Sequence, residues 1–315
     1  MFSNKPTRFL KTAHIIAAAG LVFSQLISLS SAIAQENSSP QNAVQKTDIG
    51  KLSSGGKLKP VQANMDIRKY SLNLDVDIAN KFIKGNTTVN LQLKNAADTI
   101  LLDLIQHYNI EAIKVDGKPV SFDHKEEKIY IKGNGYDKSN QFGAGNHSVF
   151  IAYSGNPPEA VRPPWLGGFT WAKDRSGNDW VSINIQKEGG RMYFPCKDHP
   201  SDEPNEGVEM NIKVPKGLSV AGPGLLQKTV TKKDKTSFFW KTNYTISNYC
   251  VVFNIGKYAV VKDSYTTING NVVPIEYYIL EEDIAQAKRV IEAKKRDSKI
   301  LEKYFGEYPW YKEKI

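Results

Sequence analysis

The sequence has few of the residues from which metal and nucleophile sites are built. Its 315 residues include two cysteines and five histidines, and no two histidines have the i, i+4 spacing of an H-E-x-x-H helix. A G-x-S-x-G nucleophile elbow is absent, as is a phosphate-binding P-loop. These absences exclude the zinc-helix, serine-hydrolase and nucleotide-binding motifs that are most readily recognised from sequence.

The two cysteines, Cys196 and Cys250, do not form a metal-binding pattern. Neither has a second Cys or a His nearby at metal-ligand spacing, which excludes a zinc knuckle. An exported protein could pair the two cysteines in a disulfide. However, the chain is large enough to fold without a covalent staple, and both cysteines lie in apolar segments. We therefore favour two free, buried thiols.

Long hydrophobic runs are also scarce, and the one candidate lies at the start of the chain. Residues 1–34 have a basic beginning, a mostly apolar run over 14–29 and an A-x-A site at 32–34, as in a signal peptide cleaved after Ala34. A membrane anchor is the alternative, but the run is short for a span of about 20 apolar residues. We therefore expect export to the periplasm or the medium, with no membrane attachment after cleavage.

The positive charge does not indicate a nucleic-acid partner. The formal net charge is +9, and loss of the three basic residues of the signal peptide leaves +6. The remaining lysines are scattered among acidic residues, and their densest group, residues 232–235, is predicted to be a hairpin tip. No basic stripe is interleaved with stacking aromatics, so we expect no nucleic-acid binding.

The pattern along the chain predicts a mainly β protein. Residues 35–62 are polar and small, which predicts a flexible linker. Residues 63–270 contain short strand-like runs, such as the alternating 88–93 and the run 248–255, separated by turn signals such as Asp116-Gly117. Many short strands at close spacing predict a large antiparallel β-sandwich or saddle-like domain.

The pattern of apolar and polar residues changes near residue 271. A strand-like run over 272–280 precedes a long amphipathic helix predicted for residues 283–305, with acidic residues at its start and Gly306 as a stop signal. A single helix of this kind needs a partner surface for its apolar face. Residues 271–315 are therefore interpreted as the incomplete start of a second domain.

One segment carries a recognisable signature. Residues 186–204 contain the pattern Arg191-x-x-Phe194-Pro195-Cys196-x-Asp198-x-Pro200. An alternating strand precedes it over 180–185, a V-P-K-G turn follows within 210–217, and a Y-C-V-V-F-N-I-G run lies within 245–258. In this order the motifs resemble the N-terminal domain of M1-family zinc aminopeptidases, and the resemblance covers residues 68–315.

The resemblance implies a fold and an activity. The fold would be the family's large N-terminal β domain, followed by the first strand and helix of a truncated α/β metallopeptidase domain. The activity would be removal of N-terminal residues from peptides with a free N-terminus. In the complete family two His and a Glu bind zinc, and these positions lie beyond the equivalent of Ile315. Zinc is thus expected only for the complete enzyme. This chain is expected to hold no catalytic residue or zinc ligand and to be inactive alone.

The resemblance also assigns a substrate-binding group. In the family a Gln or Glu five residues before the signature Arg binds the substrate's free α-amino group, and Gln186 occupies that place. Asn184 would share its strand face, and Glu188, Gly189 and Gly190 would form the adjoining loop. The alternative for Gln186 is an ordinary surface residue at a strand end.

Other residues of the segment are expected to be structural. Arg191, Cys196 and Asp198 would hold the loop by hydrogen bonds and packing. His199 lies among acidic residues, but a polar turn is a better interpretation than a metal site. The competing function is a non-enzymatic exported β-sandwich that binds peptides, glycans or a partner protein. The sequence leaves the oligomeric state and the substrate side-chain preference open.

Overall fold

The structure is a computed structural model, and it describes residues 48–315. The expected signal peptide, residues 1–34, and the expected linker up to residue 47 lie outside the described residues. Within the described part, no helix has the length and apolarity needed to cross a membrane.

The described part contains 17 strands, two α-helices and four short 3₁₀ turns. The strands are β1 (Met65–Asp77), β2 (Phe82–Leu93), β3 (Thr99–Asp103), β4 (Tyr108–Val115), β5 (Lys118–Pro119), β6 (Phe122–Lys125), β7 (Lys128–Lys132), β8 (Gly145–Gly155), β9 (Gly168–Lys173), β10 (Asp179–Asn184), β11 (Val208–Pro215), β12 (Ser219–Ala221), β13 (Leu225–Lys232), β14 (Lys235–Lys241), β15 (Asn254–Gly256), β16 (Tyr258–Thr266) and β17 (Val272–Leu280). The α-helices are α1 (Pro60–Ala63) and α2 (Ile284–Phe305), and the 3₁₀ turns are Ile49–Lys51, Gly190–Met192, Asn248–Cys250 and Glu281–Asp283.

An eight-stranded sheet forms the main layer, in the order β13-β14-β11-β1-β2-β8-β4-β5. Its neighbouring strands are antiparallel except for β1 and β11, which pair in parallel from Tyr70↔Val208 to Asp75↔Lys213. Side chains alternate between a buried and a more open face along these strands, as in the strict alternation of β11. The sequence pattern did not reveal the parallel pair, because alternation sets the face of a residue and not the direction of its neighbouring strand.

Two smaller sheets cover the buried face. They have the orders β12-β15-β10-β9 and β3-β7-β6. One hydrophobic cluster joins all three sheets, with Tyr70, Phe169 and Ile129 as members from each of them. Aromatic edge contacts such as Tyr70–Phe194, with ring centroids 5.5 Å apart, add specific packing to this core. The predicted mainly β fold is confirmed.

A separate hairpin and helix follow the main core. Strands β16 and β17 pair over their whole length, and α2 buries Ala287 and Ile291, the latter in a small cluster with Tyr265, Val273 and Ile275 of the hairpin. Helix α2 ends at Gly306, whose φ of 84° is open to glycine without strain. The predicted strand and helix at this end of the chain are therefore confirmed, with the helix boundaries within one residue.

The prediction for the cysteines is half wrong. Both thiols are free, and Cys196 is buried, but Cys250 is exposed. The sequence predicts a strand from residue 248, whereas the chain makes the 3₁₀ turn Asn248–Cys250 and regular pairing starts only at Asn254. In that turn Asn248 points inward and its side-chain amide donates to the Lys197 carbonyl at 2.7 Å.

The stretch 48–62 makes more contact with the β domain than its composition predicts. Lys187 Nζ donates to the Gly50 carbonyl at 2.8 Å, and the buried Gln62 donates to Asp103 at 2.7 Å. Ile49 and Leu52 also pack against the main core. Two isolated apolar residues among polar ones make no strand or helix pattern, so the sequence did not reveal these contacts. The domain limits at 62 and 270 stay predictions.

Helix α2 leaves several apolar side chains exposed. Leu301, Tyr304 and Phe305 are 53%, 72% and 82% exposed on the helix surface. Clustered apolar side chains of this kind favour association. We expect the isolated chain to self-associate as its concentration rises, and the substitutions Leu301→Lys and Phe305→Lys to shift it towards monomer in sedimentation velocity. A wild-type chain that stays monomeric at high concentration would contradict this expectation.

The two-residue turn at Asp116 and Gly117, predicted from the sequence, joins β4 and β5 with φ of 51° and 80°. The Asp116 carboxylate also contacts three polar groups. Tyr136 Oη donates to Asp116 at 2.6 Å, the Ser148 amide donates at 2.8 Å, and His147 Nδ1 lies 2.7 Å away.

This carboxylate gives a pH-dependent prediction. Partial burial alone would raise the pKa of Asp116, but the bonds from Tyr136, Ser148 and His147 outweigh it and lower the pKa below 3.8. Its contribution to stability is therefore present above pH 3.8 and lost as the pH falls through the lowered pKa. We expect Asp116→Asn, which suits the same turn, to flatten the loss of stability below pH 4 in urea titrations. Asn134→Ala, at an exposed turn position without a titratable group, should leave that slope unchanged.

Candidate functional site

The signature segment forms a tight loop between β10 and β11. After β10 ends at Asn184, the chain turns through Gly189, whose amide donates to the Ile185 carbonyl at 2.8 Å. Gly189 has φ of 88°, and a Cβ there would lie 1.9 Å from Asp198 Oδ2. Glycine is required at this position for two reasons: the backbone conformation is unfavourable for other residues, and the Asp198 carboxylate leaves no room for a side chain.

A buried ion pair closes this loop. Arg191 Nε donates to Asp198 Oδ2 at 2.6 Å, with 9% and 1% of the two side chains exposed. Two serines preceding the β domain complete the pair: Ser54 Oγ donates to Asp198 at 2.9 Å, and Arg191 Nη2 donates to the Ser53 carbonyl at 3.2 Å. Burial raises the pKa of Asp198, and the adjacent guanidinium opposes that rise. The pair is thus structural, as predicted.

The far end of the loop is tied to β3. The backbones of Asp103 and Cys196 exchange two hydrogen bonds, at 2.7 and 3.1 Å. The Asp103 carboxylate also accepts from the Asp198 amide at 3.1 Å and lies 3.0 Å from Lys128 Nζ. Burial raises the pKa of the Cys196 thiol well above its usual value, which keeps it in the neutral form. Cys196 is therefore a buried, neutral thiol within the packing of the loop.

A groove of about 350 Å³ opens beside this loop. The exposed Gln186 and the half-buried Asn184 line it, as the sequence predicts for two residues that share a strand face. Tyr249, Cys250 and Val252 form the other lining, together with Pro164 from the loop before β9. The structure brings Gln186 and Asn184 together in one groove, and their binding of substrate stays a prediction.

The other three residues predicted for the site do not line this groove. Glu188, Gly189 and Gly190 are all buried. Glu188 Oε1 accepts from the Gly167 amide at 3.1 Å and so ties the segment before β9 to the loop. These three residues form the loop that follows Gln186 and do not contribute to the groove lining.

The sequence predicted two of the eight residues that line the groove, Asn184 and Gln186, and did not predict its opposite wall. Tyr249 and Cys250 lie inside the motif that closes the resemblance, yet the expected strand hid the turn that exposes them. Pro164 sits in a loop whose Pro-Pro pair gave no signal of position; its peptide bond with Pro163 is cis. These positions depend on long-range packing that a one-dimensional pattern does not carry.

The acidic residues around His199 are engaged by the protein itself. Asp198 pairs with Arg191, Asp202 pairs with Lys197 at 2.6 Å, and His199 Nε2 lies 3.0 Å from the Gly56 carbonyl. Among residues 48–315, no group of three or more His, Cys, Asp or Glu side chains is placed to hold a metal ion. The described residues therefore do not fit a zinc ion.

The signature loop lies in the part of the chain that matches a known protein family. The family model described as the peptidase M1 N-terminal domain matches residues 67–250, more than half of the chain. This chain belongs to the peptidase M1 family. The predicted resemblance is thus confirmed, and the match contains β1, the groove residues Asn184 and Gln186, and the Arg191–Asp198 loop.

The curated relatives that match this chain are longer proteins. A protein named Probable aminopeptidase 2, from Sulfurisphaera tokodaii, is 24% identical over 242 residues, which are 77% of this chain and 28% of the relative. Tricorn protease-interacting factor F2 from Thermoplasma acidophilum is 22% identical over 246 residues, again 77% of this chain and 28% of that protein. This chain thus spans little more than a quarter of these relatives.

Solved M1 structures share the fold. An M1 zinc metallopeptidase from Deinococcus radiodurans matches with a TM-score of 0.63 and 17% identity, over 82% of this chain and 56% of that structure. Leukotriene A4 hydrolase from Saccharomyces cerevisiae matches with a TM-score of 0.60 and 18% identity, over 79% of this chain and 37% of that structure. At these identities the likeness shows the fold alone.

Proposed function

We propose that this chain is the N-terminal portion of an exported M1-type zinc aminopeptidase that removes N-terminal residues from peptides. The groove lined by Gln186 and Asn184 would bind the free N-terminus of the peptide. The observation that carries the proposal is the exposed Gln186 in a groove whose backing loop is fixed by the buried Arg191–Asp198 pair.

The chemistry of Gln186 suits an ammonium group. Its side-chain oxygen can accept a hydrogen bond from a protonated amine, and bonds to charged groups are stronger than neutral ones. Such bonds contribute about 1.5 to 3 kcal/mol. Asn184 offers a second amide oxygen on the same lining. The role of this chain would be to bind and orient the amino end of the peptide.

The rigidity of the loop is part of the proposed role. Gln186 follows β10 directly, and the next residues are tied down by Glu188, Gly189 and Arg191. A side chain on a fixed backbone loses less conformational freedom when it binds, so more of each hydrogen bond appears as affinity. The buried residues thus serve the groove without contacting the peptide.

The residues that bind zinc would belong to a part of the protein outside residues 48–315. When bound, zinc would polarise the scissile carbonyl and lower the pKa of a bound water towards about 7. We therefore expect the 315-residue chain alone to release no amino acid from aminoacyl p-nitroanilides, with or without added zinc. Release that a chelator stops would contradict this part of the proposal.

The binding role is tested in the longer protein that carries this chain. There, Gln186→Ala should lower kcat/KM for substrates with a free N-terminus about 10- to 100-fold, equivalent to the 1.5 to 3 kcal/mol of the lost charged hydrogen bond. Gln186→Glu, which keeps an acceptor oxygen, should restore most of the activity. Gln141→Ala, at an exposed loop position, is the matched control. Equal kinetics for Gln186→Ala and wild type would overturn the assignment.

A further inference from the structure

The open face of the eight-stranded sheet carries a row of uncharged amide side chains away from the proposed peptide groove. They come from five of the six adjacent strands β13 to β8 in the sheet order, since β14 carries no amide side chain. We call this set the amide band. Its members are Asn73, Asn86, Asn90, Gln92, Asn146, Asn211 and Gln227.

The strand register brings the members of the band side by side. Asn73 lies opposite Asn86 on one side and opposite Asn211 on the other. Gln92 lies opposite Asn146 on the next pair of strands. With about 4.8 Å between neighbouring strands, six strands give a band about 24 Å long that crosses the sheet.

The amides of the band leave hydrogen-bonding capacity unused. Asn73 donates to Asn86 at 3.2 Å, and Asn211 donates to Asn73 at 3.3 Å, both near the long limit for such bonds. The side-chain oxygen of Asn211 is enclosed but has no partner within the described part. The side chains of Asn90 and Gln92 make no hydrogen bond to another described residue. The band can therefore both donate to and accept from a ligand.

Charged residues border the band in ion-pair clusters, in which Glu209 and Asp75 each lie within 4 Å of two lysines. On one side Glu209 lies 2.7 Å from Lys69. On the other side Asp75 lies 3.1 Å from Lys213 and 2.5 Å from Lys235. A charged ligand would have to compete with these pairs, whereas an uncharged polar ligand meets the amides directly.

Two shallow cavities lie along the band. One of about 610 Å³ includes Asn90, Gln92 and Asn146 in its lining. The other, of about 310 Å³, includes Asn211 and Phe239. The half-buried ring of Phe239 lies next to the amides, with Lys228 Nζ 4.7 Å from its centroid. An extended ligand that fills both cavities would run along the whole band.

We propose that the amide band binds a neutral polysaccharide chain. Sugar hydroxyls donate and accept hydrogen bonds, as amide side chains do, and the apolar faces of sugar rings can pack on an aromatic side chain. An extended peptide would pair with the backbone at a sheet edge, whereas the band lies on a sheet face. This binding site is independent of the peptide groove and of the proposed peptidase activity.

The test is affinity gel electrophoresis of the 315-residue chain. The gels contain laminarin or dextran as neutral probes, or alginate as an anionic probe. We expect laminarin or dextran to retard the wild-type chain and alginate to have little effect. The double variant Asn73→Ala/Asn211→Ala should raise the apparent Kd about tenfold, as loss of about 1.4 kcal/mol of hydrogen bonding implies. The control variant Asn134→Ala/Gln141→Ala removes two exposed amides outside the band and should bind like wild type.

Each other outcome would overturn the proposal. Absence of retardation by both neutral probes would exclude it, and so would retardation by alginate alone. Equal binding by both double variants would place the glycan elsewhere on the chain. Circular dichroism of the Asn73→Ala/Asn211→Ala protein checks that it is folded. If it is not, Asn90→Ala/Gln92→Ala tests the same band at positions without side-chain bonds to lose.

Discussion

Replacement of Arg191 with Met is expected to destabilise the chain by about 3 to 5 kcal/mol. The substitution keeps much of the side-chain volume but leaves the Asp198 carboxylate buried without its ion-pair partner. Ser54 would still donate to Asp198, yet one hydroxyl cannot replace a guanidinium. The free energy of unfolding from urea titrations followed by tryptophan fluorescence measures the loss.

The control for Arg191→Met is Arg68→Met. Arg68 also has two acidic partners, Asp66 and Glu206, but its side chain is 34% exposed. Exposed ion pairs contribute about 0 to 1 kcal/mol, so this variant should stay close to wild type. Equal losses for the two arginine variants would show that the buried pair does not hold the loop. A second check is Arg191→Met/Asp198→Asn, which also removes the unpaired Asp198 charge and should recover part of the lost free energy of unfolding.

Substitution of Gly189 by Ala is expected to cost about 2 to 6 kcal/mol. At φ of 88° and ψ of 176° a non-glycine residue costs about 1 to 3 kcal/mol, and forcing a methyl group into a packed site costs about 1 to 3 kcal/mol more. The new Cβ would lie 1.9 Å from Asp198 Oδ2, so the buried ion pair must move. Urea titration again gives the free energy of unfolding.

Gly177→Ala separates the two causes. Gly177 has φ of 83°, yet a Cβ there would meet nothing within 4 Å. This control therefore carries the conformational cost without the clash, and it should lose only about 1 to 2 kcal/mol. If Gly189→Ala were no worse than Gly177→Ala, the loop would be looser than its contacts indicate. In the longer protein, Gly189→Ala should then also leave kcat/KM for substrates with a free N-terminus unchanged.

The sequence predicted the elements that depend on local pattern. Helix α2 and its end at Gly306 follow from apolar spacing, charge placement and a glycine stop. The turn at Asp116 follows from the Asp-Gly pair and the strands around it. Both features need only neighbouring residues to form, so a linear pattern contains them.

What the sequence did not predict depends on partners far along the chain. The parallel neighbours β1 and β11 are separated by more than 130 residues, and nothing in either strand states the direction of the other. Cys250 was predicted to be buried because a strand was expected where the chain makes a turn. Gln186 and Asn184 line one groove and follow each other along the chain, whereas Pro164 on its opposite wall had no sequence signal.

The contacts made before the β domain have a practical consequence for anyone who trims this protein. A gene cut to start at residue 67, where the family match begins, would delete Ser53, Ser54 and Gln62. Asp198 and Asp103 would each lose a hydrogen-bond donor, and the arginine of the signature loop would lose its carbonyl acceptor. The homology boundary therefore falls inside a folded unit, and a truncated version could show weak binding that reflects only the missing residues.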